Sequence, residues 1–368
     1  MIYKIFSTIF LITSASVGGG IIAQPILINK FGVIPNFISL LISLFYTYIS
    51  SMLIVKLYIN SNNKHYFSMF ESYVGKRKNF IIITIYLFIC LFSLTSYFNG
   101  IKNVLISFNI EILKNDFFLF TILFLIILLS KIKTINFINN SLEILLIFFF
   151  FLILIKGIKI DNILEINKGN SKNFIYLMPI FITSLSYQII LPNIIEYLNK
   201  NERIIKISII SGLFLSIFFF FIWNLIIINN INIKDLEHFQ NSSKELELYT
   251  FISNKEARIT VKLIIILILI TSLLGISLGT KDLIKDIVNT NKENLIIFLI
   301  VISIIINSKI NENKFIDLLE KTSIYGEVFL NGVIPFIIYV KKNKKKYFLL
   351  FFMLFLELLI IFFIFNKN

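Results

Sequence analysis

The chain has 368 residues, of which 57% are hydrophobic and 15% charged, and its formal net charge is +14. Soluble domains carry about 25% charged residues, so this composition excludes an ordinary water-soluble protein and favours a chain embedded in a lipid bilayer. At about 20 apolar residues per crossing, this length fits about ten to twelve membrane-spanning helices and excludes a large catalytic domain or a nucleic-acid-binding domain. The composition therefore predicts membrane lipid as a partner and no nucleic acid.

Eleven apolar segments are candidate spans: 5–29, 31–55, 79–101, 117–130, 134–155, 173–195, 207–233, 263–280, 294–308, 322–340 and 347–365. Helices are predicted because lipid leaves backbone polar groups without partners and no alternating pattern suggests a barrel. Basic residues cluster at 76–78 and 341–346, which places these connections in the cytoplasm. The sequence thus predicts an all-α polytopic protein of the bacterial inner membrane with a cytoplasmic N-terminus.

Two of these spans contain residues that disfavour a continuous helix. The first reads S-V-G-G-G-I-I-A-Q-P at 16–25. Each glycine costs about 1 kcal/mol relative to alanine in a helix, and Pro25 removes a backbone donor. The sixth span reads T-S-L-S-Y-Q-I-I-L-P-N at 183–193, a polar cluster followed by Pro192. We expect both helices to be interrupted.

Interruptions five spans apart are typical of transporters built from two inverted five-helix repeats, in which the first helix of each repeat is discontinuous. We therefore expect one membrane domain over 1–368, with repeats at about 5–158 and 173–341 and an additional helix at about 347–365. The freed backbone groups would bind an amino acid, its carboxylate at N–H groups and its ammonium at carbonyls. The alternatives are a close-packing glycine face and a simple proline kink.

The candidate substrate-binding residues come from these two segments and from one face of the third span, where Ser93, Ser96 and Tyr97 share helical spacing. They are Ser16, Gly18, Gly19, Gly20, Thr183, Ser184, Ser186, Tyr187, Gln188, Ser96 and Tyr97. The third-span residues are equally compatible with ordinary packing.

The same segments resemble the hydroxy and aromatic amino acid permeases. The run at 18–25 is similar to that family's first-helix motif, G-x-G-I-x-A-x-P, and the run I-T-S-L-S-Y-Q-I-I-L-P-N-I-I-E-Y at 182–197 is similar to its sixth-helix pattern. Trp223 and the run T-S-L-L-G-I-S-L-G at 271–279 resemble the family's seventh and eighth helices. The resemblance implies a LeuT-type 5+5 inverted repeat with discontinuous helices 1 and 6. It also implies proton-coupled uptake of an aromatic or hydroxylated amino acid.

One departure concerns the coupling ion. Ser186, Gln188 and Ile189 stand where the family usually has Gly, His and Gly, and both histidines of this chain lie in predicted loops. A membrane-embedded histidine is therefore not available to carry a proton. Carboxylates within spans are costly and are functional candidates by default; here they are Glu327, Glu357 and Glu143, with Glu327 preferred. Each is also compatible with an interfacial, solvated position.

Sodium coupling stays open, because the resembled fold has a sodium site formed by first-helix carbonyls and eighth-helix hydroxyls. Ser272, Ser277 and Thr280 are weak candidates for it, since such hydroxyls usually bond their own backbone. The sequence otherwise predicts no metal site, no cofactor and no enzymatic activity.

The prediction is a symporter importing an amino acid such as tyrosine or tryptophan together with an ion, H⁺ in preference to Na⁺. The alternatives are an amino-acid-sensing receptor like the germination permeases, a sodium-coupled transporter, and a channel or assembly subunit without a substrate site.

Overall fold

The computed structural model describes residues 1–61, 65–108, 131–155, 177–231, 254–288, 293–310 and 326–342, together with residues 122, 250 and 252. Its α-helices, in chain order, are α1 (Ile2–Val17), α2 (Gly20–Phe31), α3 (Val33–Ser61), α4 (Tyr66–Val74), α5 (Lys76–Ile106), α6 (Ile132–Ile155), α7 (Met178–Ser184), α8 (Leu191–Tyr197), α9 (Glu202–Asn230), α10 (Lys255–Val288), α11 (Glu293–Ile310) and α12 (Ile334–Lys342). A 3-10 turn, Gln188–Ile190, precedes α8, and a π-helical turn, Phe329–Val333, precedes α12.

These helices confirm the predicted all-helical membrane fold. Six segments are long and apolar enough to cross a bilayer within the described ranges: α3, α5, α6, α9, α10 and the combined segment Met178–Tyr197. The first predicted span corresponds to α1 and α2 together, the ninth to α11 and the tenth to α12 with its π-helical turn. The predicted spans at 117–130 and 347–365 lie outside the described residues.

Helix α1 lies at the centre of the bundle, where it packs against α6, α9 and α10. Its contact with α9 is close because Gly212 has no side chain: a Cβ atom there would lie 2.6 Å from Cγ2 of Ile12. Small residues let membrane helices approach each other in this way. Helix α5 packs against α10 and α11, and α3 packs against α7 and α12.

The outer face of the bundle is apolar. Phe80, Phe148 and Phe214 are 72%, 54% and 64% exposed and lie on α5, α6 and α9. Exposed large apolar side chains on long hydrophobic helices are what lipid contact requires, whereas a soluble protein would bury them. The polar residues of the bundle are instead turned inward, as the buried serines and threonines of α1 illustrate.

Candidate functional site

The first span is interrupted at Gly18 and Gly19, between α1 and α2. Gly18 has a φ of +34°, a region that glycine adopts at little cost. Helix α2 restarts at Gly20 without a side-chain cap, so its first N–H groups have no intrahelical partner. The break therefore presents a positive helix end and, at the end of α1, a negative one, deep in the bundle.

Pro25 does not contribute to this break, in contrast to the expectation from sequence. Helix α2 continues through it from Gly20 to Phe31. The three glycines have already interrupted the chain, and a proline in the second turn of the new helix releases only one carbonyl of that helix.

The sixth span is interrupted between Ser184 and Gln188. Helix α7 ends at Ser184, residues Leu185 to Tyr187 form a non-helical connection, and a 3-10 turn leads into α8. Pro192 lies in the first turn of α8, where its missing N–H would have no helical partner in any case. Proline thus starts the second half-helix here.

The two breaks are in direct contact. A Cβ atom on Gly20 would lie only 1.4 Å from Oγ of Ser184, so this glycine lies directly against α7. The hydroxyl of Ser16 donates to the carbonyl of Leu185 at 3.4 Å. The candidate residues Ser16, Gly18, Gly19, Gly20 and Ser184 are all buried, so the structure shows this region shielded from solvent.

The third span contributes Tyr97 to the same place. The N–H of Gly19 donates to its hydroxyl oxygen at 3.4 Å, and a Cβ atom on Gly18 would lie 2.8 Å from that oxygen. Ser96, the preceding residue, is buried as well. Thr183 is different, because its hydroxyl donates to Pro179 within α7 at 2.9 Å.

A polar network connects the second break to the tenth span. The hydroxyl of Ser186 lies 2.5 Å from Oε2 of Glu327, and the side-chain amide of Asn331 donates to the same carboxylate oxygen. Tyr86 donates its hydroxyl proton to Oδ1 of Asn331 at 2.5 Å. Glu327 is therefore held directly by Ser186 of the sixth span and indirectly by Tyr86 of the third span, which bonds Asn331. It is not an isolated interfacial carboxylate.

Gln188 lies at the other side of Ser186. Its Oε1 atom accepts from the N–H of Tyr187 at 3.0 Å, and the hydroxyl of Ser186 lies 2.8 Å from the same oxygen. Its Nε2 atom donates to the hydroxyl of Ser50 at 3.4 Å, and Ser50 in turn donates to the carbonyl of Asn331. The network thus closes on itself through spans two, six and ten, and Tyr86 of span three joins it at Asn331.

Comparison with known proteins identifies the fold and the family. The chain matches the tryptophan/tyrosine permease family over residues 1–366. It belongs to this family. Glutamine transporter 2 of Aliivibrio fischeri is 19% identical to this permease over 305 residues, which cover 79% of the permease and 78% of that transporter.

A solved structure has the same fold. The manganese transporter of Eremococcus coleocola, crystallised with an aromatic bis-isothiourea substituted compound, superimposes with a TM-score of 0.65 at 11% identity, covering 98% of this permease and 84% of that chain. The permease is therefore a multi-pass membrane transporter of the LeuT-type fold, with its first and sixth spans discontinuous.

The other two candidate carboxylates have different positions. Glu143 is fully buried on α6, and neither of its carboxylate oxygens has a hydrogen-bond partner among the described residues. Glu357 lies outside those residues. The structure thus brings Glu327, and not Glu143, into contact with the sixth-span break.

The weak sodium candidates on α10 face the bundle interior. Ser272 donates its hydroxyl proton to the carbonyl of Ser14, near the end of α1, at 3.0 Å. Ser277 and Thr280 are buried on the same helix. A carbonyl of the first span and a hydroxyl of the eighth are therefore adjacent, as a sodium site would need, but in this structure they bond each other.

Sequence reasoning missed Asn331, Ser50 and Tyr86, which hold Glu327 and Gln188 in place. An asparagine four residues after Glu327, and so on the same helical face, is the one signal in the sequence that indicates a polar partner.

Proposed function

We propose that this permease imports an amino acid across the bacterial inner membrane by symport with protons, with its N-terminus in the cytoplasm. Family membership supports amino acid transport, and the contact between the two helix breaks supports a binding site for a zwitterion there. The N-terminal end of α2 attracts a carboxylate, and the carbonyl ends of α1 and α7 attract an ammonium group.

The proposed substrate is an aromatic or hydroxylated amino acid. In this proposal Ser16, Gly18, Gly19 and Gly20 contact the backbone of the substrate, with Thr183, Ser184 and Tyr187 from the sixth span. Ser96 and Tyr97 face its side chain. The relative from Aliivibrio fischeri is named a glutamine transporter, so glutamine belongs in the same competition panel.

Proton coupling is supported by the geometry around Ser186. Its single hydroxyl proton faces two acceptors, Oε2 of Glu327 at 2.5 Å and Oε1 of Gln188 at 2.8 Å. The Gln188 atom next to Ser186 must be the amide oxygen Oε1 and not the amide nitrogen, because it accepts from the backbone N–H of Tyr187. It therefore has no proton to donate to Ser186. The Ser186 hydroxyl can donate its one proton to only one of these two oxygens. Both contacts are hydrogen bonds only when Glu327 is protonated, so that Glu327 donates to Ser186 and Ser186 donates to Gln188.

This single observation links the charge of Glu327 to the sixth-span break. When Glu327 loses its proton, Ser186 turns its hydroxyl to the carboxylate, and Gln188 loses a donor next to the substrate position. The hydroxyl of Ser186 therefore changes its acceptor from Gln188 to Glu327 when the proton leaves. Coupling requires an element with two such states.

The test is uptake into proteoliposomes with and without a pH gradient, using labelled tryptophan, tyrosine, phenylalanine, serine, threonine and glutamine. The wild type should accumulate one or a few of them only with the gradient. Glu327→Gln donates permanently to Ser186 and should still exchange substrate but not accumulate it. The control is Glu202→Gln, which neutralises an exposed glutamate at the start of α9. This variant should behave as wild type.

Three results would contradict this proposal. Gradient-driven accumulation by Glu327→Gln would exclude Glu327 as the proton carrier. Accumulation driven by sodium and independent of pH would favour the hydroxyl and carbonyl pair of Ser272 and Ser14 instead. Saturable binding without any accumulation by the wild type would indicate an amino acid sensor of the same fold.

A further inference from the structure

A second set of polar residues lies on α6, away from the two breaks. Asn136, Asn139, Asn140 and Glu143 are spaced three and four residues apart, so they share one face of the helix. Asn136, Asn139 and Glu143 are 1%, 0% and 0% exposed. Four polar side chains turned inward from a membrane helix are costly unless they bind something.

This face looks into the bundle towards α1. Helix α6 packs against α1, α9 and α10, and the side-chain amide of Asn140 donates to the hydroxyl of Ser7 on α1 at 2.8 Å. Ser7 is itself fully buried. The polar face is therefore closed off from lipid and lies beside the N-terminal half of the broken first span.

Most polar atoms of this face have no partner within the described part of the chain. They are both carboxylate oxygens of Glu143, both polar side-chain atoms of Asn136 and of Asn139, and Oδ1 of Asn140. Buried polar groups are almost always hydrogen-bonded, so each exception needs an explanation. Here the unpartnered groups lie together along one face of α6.

The kind of atom left without a partner indicates the kind of ligand. Five of these atoms are oxygens, and two are amide nitrogens. Hydrogen-bond acceptors thus outnumber donors among these unpartnered atoms, and two of the acceptors belong to a carboxylate. A ligand that binds these atoms therefore carries positive charge. Oxygen-only ligands suit hard cations, whereas a divalent ion would call for more than one carboxylate or several retained waters.

We propose that this face of α6 is a binding site for a monovalent alkali cation, Na⁺ or K⁺, which Glu143 and the side-chain oxygens of Asn136, Asn139 and Asn140 coordinate. The site is separate from the hydroxyl and carbonyl pair of Ser272 and Ser14. It does not depend on which amino acid is transported. Through the bond between Asn140 and Ser7, the cation would hold α1 against α6.

The experiment measures thermal unfolding of the purified full-length protein in NaCl, KCl or choline chloride at equal ionic strength, without substrate. A ligand that binds only the folded state raises the melting temperature in a saturable way. We expect this rise with Na⁺ or K⁺ and not with choline. Glu143→Gln should lower the affinity for the cation by at least about tenfold, because even loss of a group that only supports a metal ligand costs about 10–100-fold in affinity.

Two further variants make the result interpretable. Ser141→Ala removes an exposed hydroxyl of the same helix, whose bond within the described residues is to the carbonyl of Phe137. This variant should keep the full cation effect. Asn139→Ala removes a ligand without changing charge and should weaken the effect even if Glu143→Gln fails to fold. Binding of radioactive sodium, or of the potassium analogue rubidium, to the wild type gives a direct reading.

The proposal is overturned if wild-type protein gains no stability from either cation over choline and binds neither isotope. It is equally overturned if the gain survives both Glu143→Gln and Asn139→Ala. A stabilisation produced by acid alone, and lost in Glu143→Gln, would show that the face binds a proton instead of a metal cation. None of these measurements uses transport, so they can fail while the proposed amino acid symport stands.

Discussion

The contact between Gly20 and Ser184 allows a direct test of how closely the two breaks pack. A Cβ atom on Gly20 would lie 1.4 Å from Oγ and 2.6 Å from Cβ of Ser184, whereas carbon atoms in contact are normally about 3.5–4.0 Å apart. Gly20→Ala therefore requires Cβ of Ser184 to move away by about 1 Å, and its hydroxyl to move by about 2 Å or to turn to another rotamer. We expect a loss of about 1–3 kcal/mol in stability and a marked loss of substrate affinity.

The partner residue offers a compensating change. Ser184→Gly removes both clashing atoms and leaves the carbonyl of Ile180 at 3.5 Å as the next neighbour of the new Cβ atom. The hydroxyl of Ser184 donates only within its own helix, to that same carbonyl. The double variant Gly20→Ala with Ser184→Gly should therefore recover most of the stability that Gly20→Ala loses.

The assay is a double-mutant cycle on melting temperature and on binding of the transported amino acid. The control is Gly275→Ala on α10, where the new Cβ atom would be 3.5 Å from Cβ of Ala15, an ordinary contact. We expect this control to resemble the wild type. The reasoning is refuted if Gly20→Ala is also harmless, or if the two changes at Gly20 and Ser184 add without any interaction.

Three further predictions concern other contacts of the structure. The ammonium group of Lys4 donates to the carbonyl of Tyr197 at 3.0 Å and lies 4.9 Å from the centre of its ring. Lys4→Met should free the start of α1, lower the stability by about 1 kcal/mol and speed efflux from preloaded proteoliposomes. An unchanged efflux rate would contradict this prediction. Burial lowers the pKa of His65, in the connection between spans two and three, from 6.5 to about 3. Because the folded pKa is the lower one, the contribution of neutral His65 to stability should be fully present above pH 6.5. It should be lost by about 1.4 kcal/mol per pH unit as the pH falls from 6.5 towards 3. Unfolding curves should show that His65→Gln flattens this dependence. Tyr97→Phe removes the acceptor of the Gly19 N–H. It should weaken amino acid binding several-fold in equilibrium binding and cost about 1–3 kcal/mol of stability, because the buried N–H is left without a partner.

The helix breaks were predictable because their causes are local. Three glycines at 18–20 and a polar stretch at 183–188 disfavour a helix within lipid whatever surrounds them, and the structure interrupts both spans there. The role of Pro25 was predicted wrongly, because a proline breaks a helix or starts one depending on where the helix begins. That starting point, at Gly20, is fixed by the neighbouring break and by packing.

The contacts between distant residues were not predictable in the same way. Tyr86 and Asn331 are 245 positions apart and meet only because α5 and the tenth span are neighbours in the bundle. The approach of Gly20 to Ser184 likewise depends on how two half-helices cross. No pattern in the sequence encodes such distances, so sequence reasoning identified Glu327 as a candidate without identifying what holds it.

The central claim is that an amino acid binds between the two breaks, and cysteine protection tests it most directly. In a Cys90→Ala background, which removes the single native cysteine, Ser16→Cys places a thiol beside Leu185 at the contact between the breaks. Glu202→Cys, at the exposed and polar start of α9, is the control.

The rate of reaction with a small thiol reagent is then measured with and without each amino acid that the protein transports. We predict that the transported amino acid slows modification of the thiol at position 16, saturably and near its half-maximal transport concentration, and leaves position 202 unaffected. Equal rates at position 16 with and without every transported amino acid would place the substrate elsewhere and contradict the account.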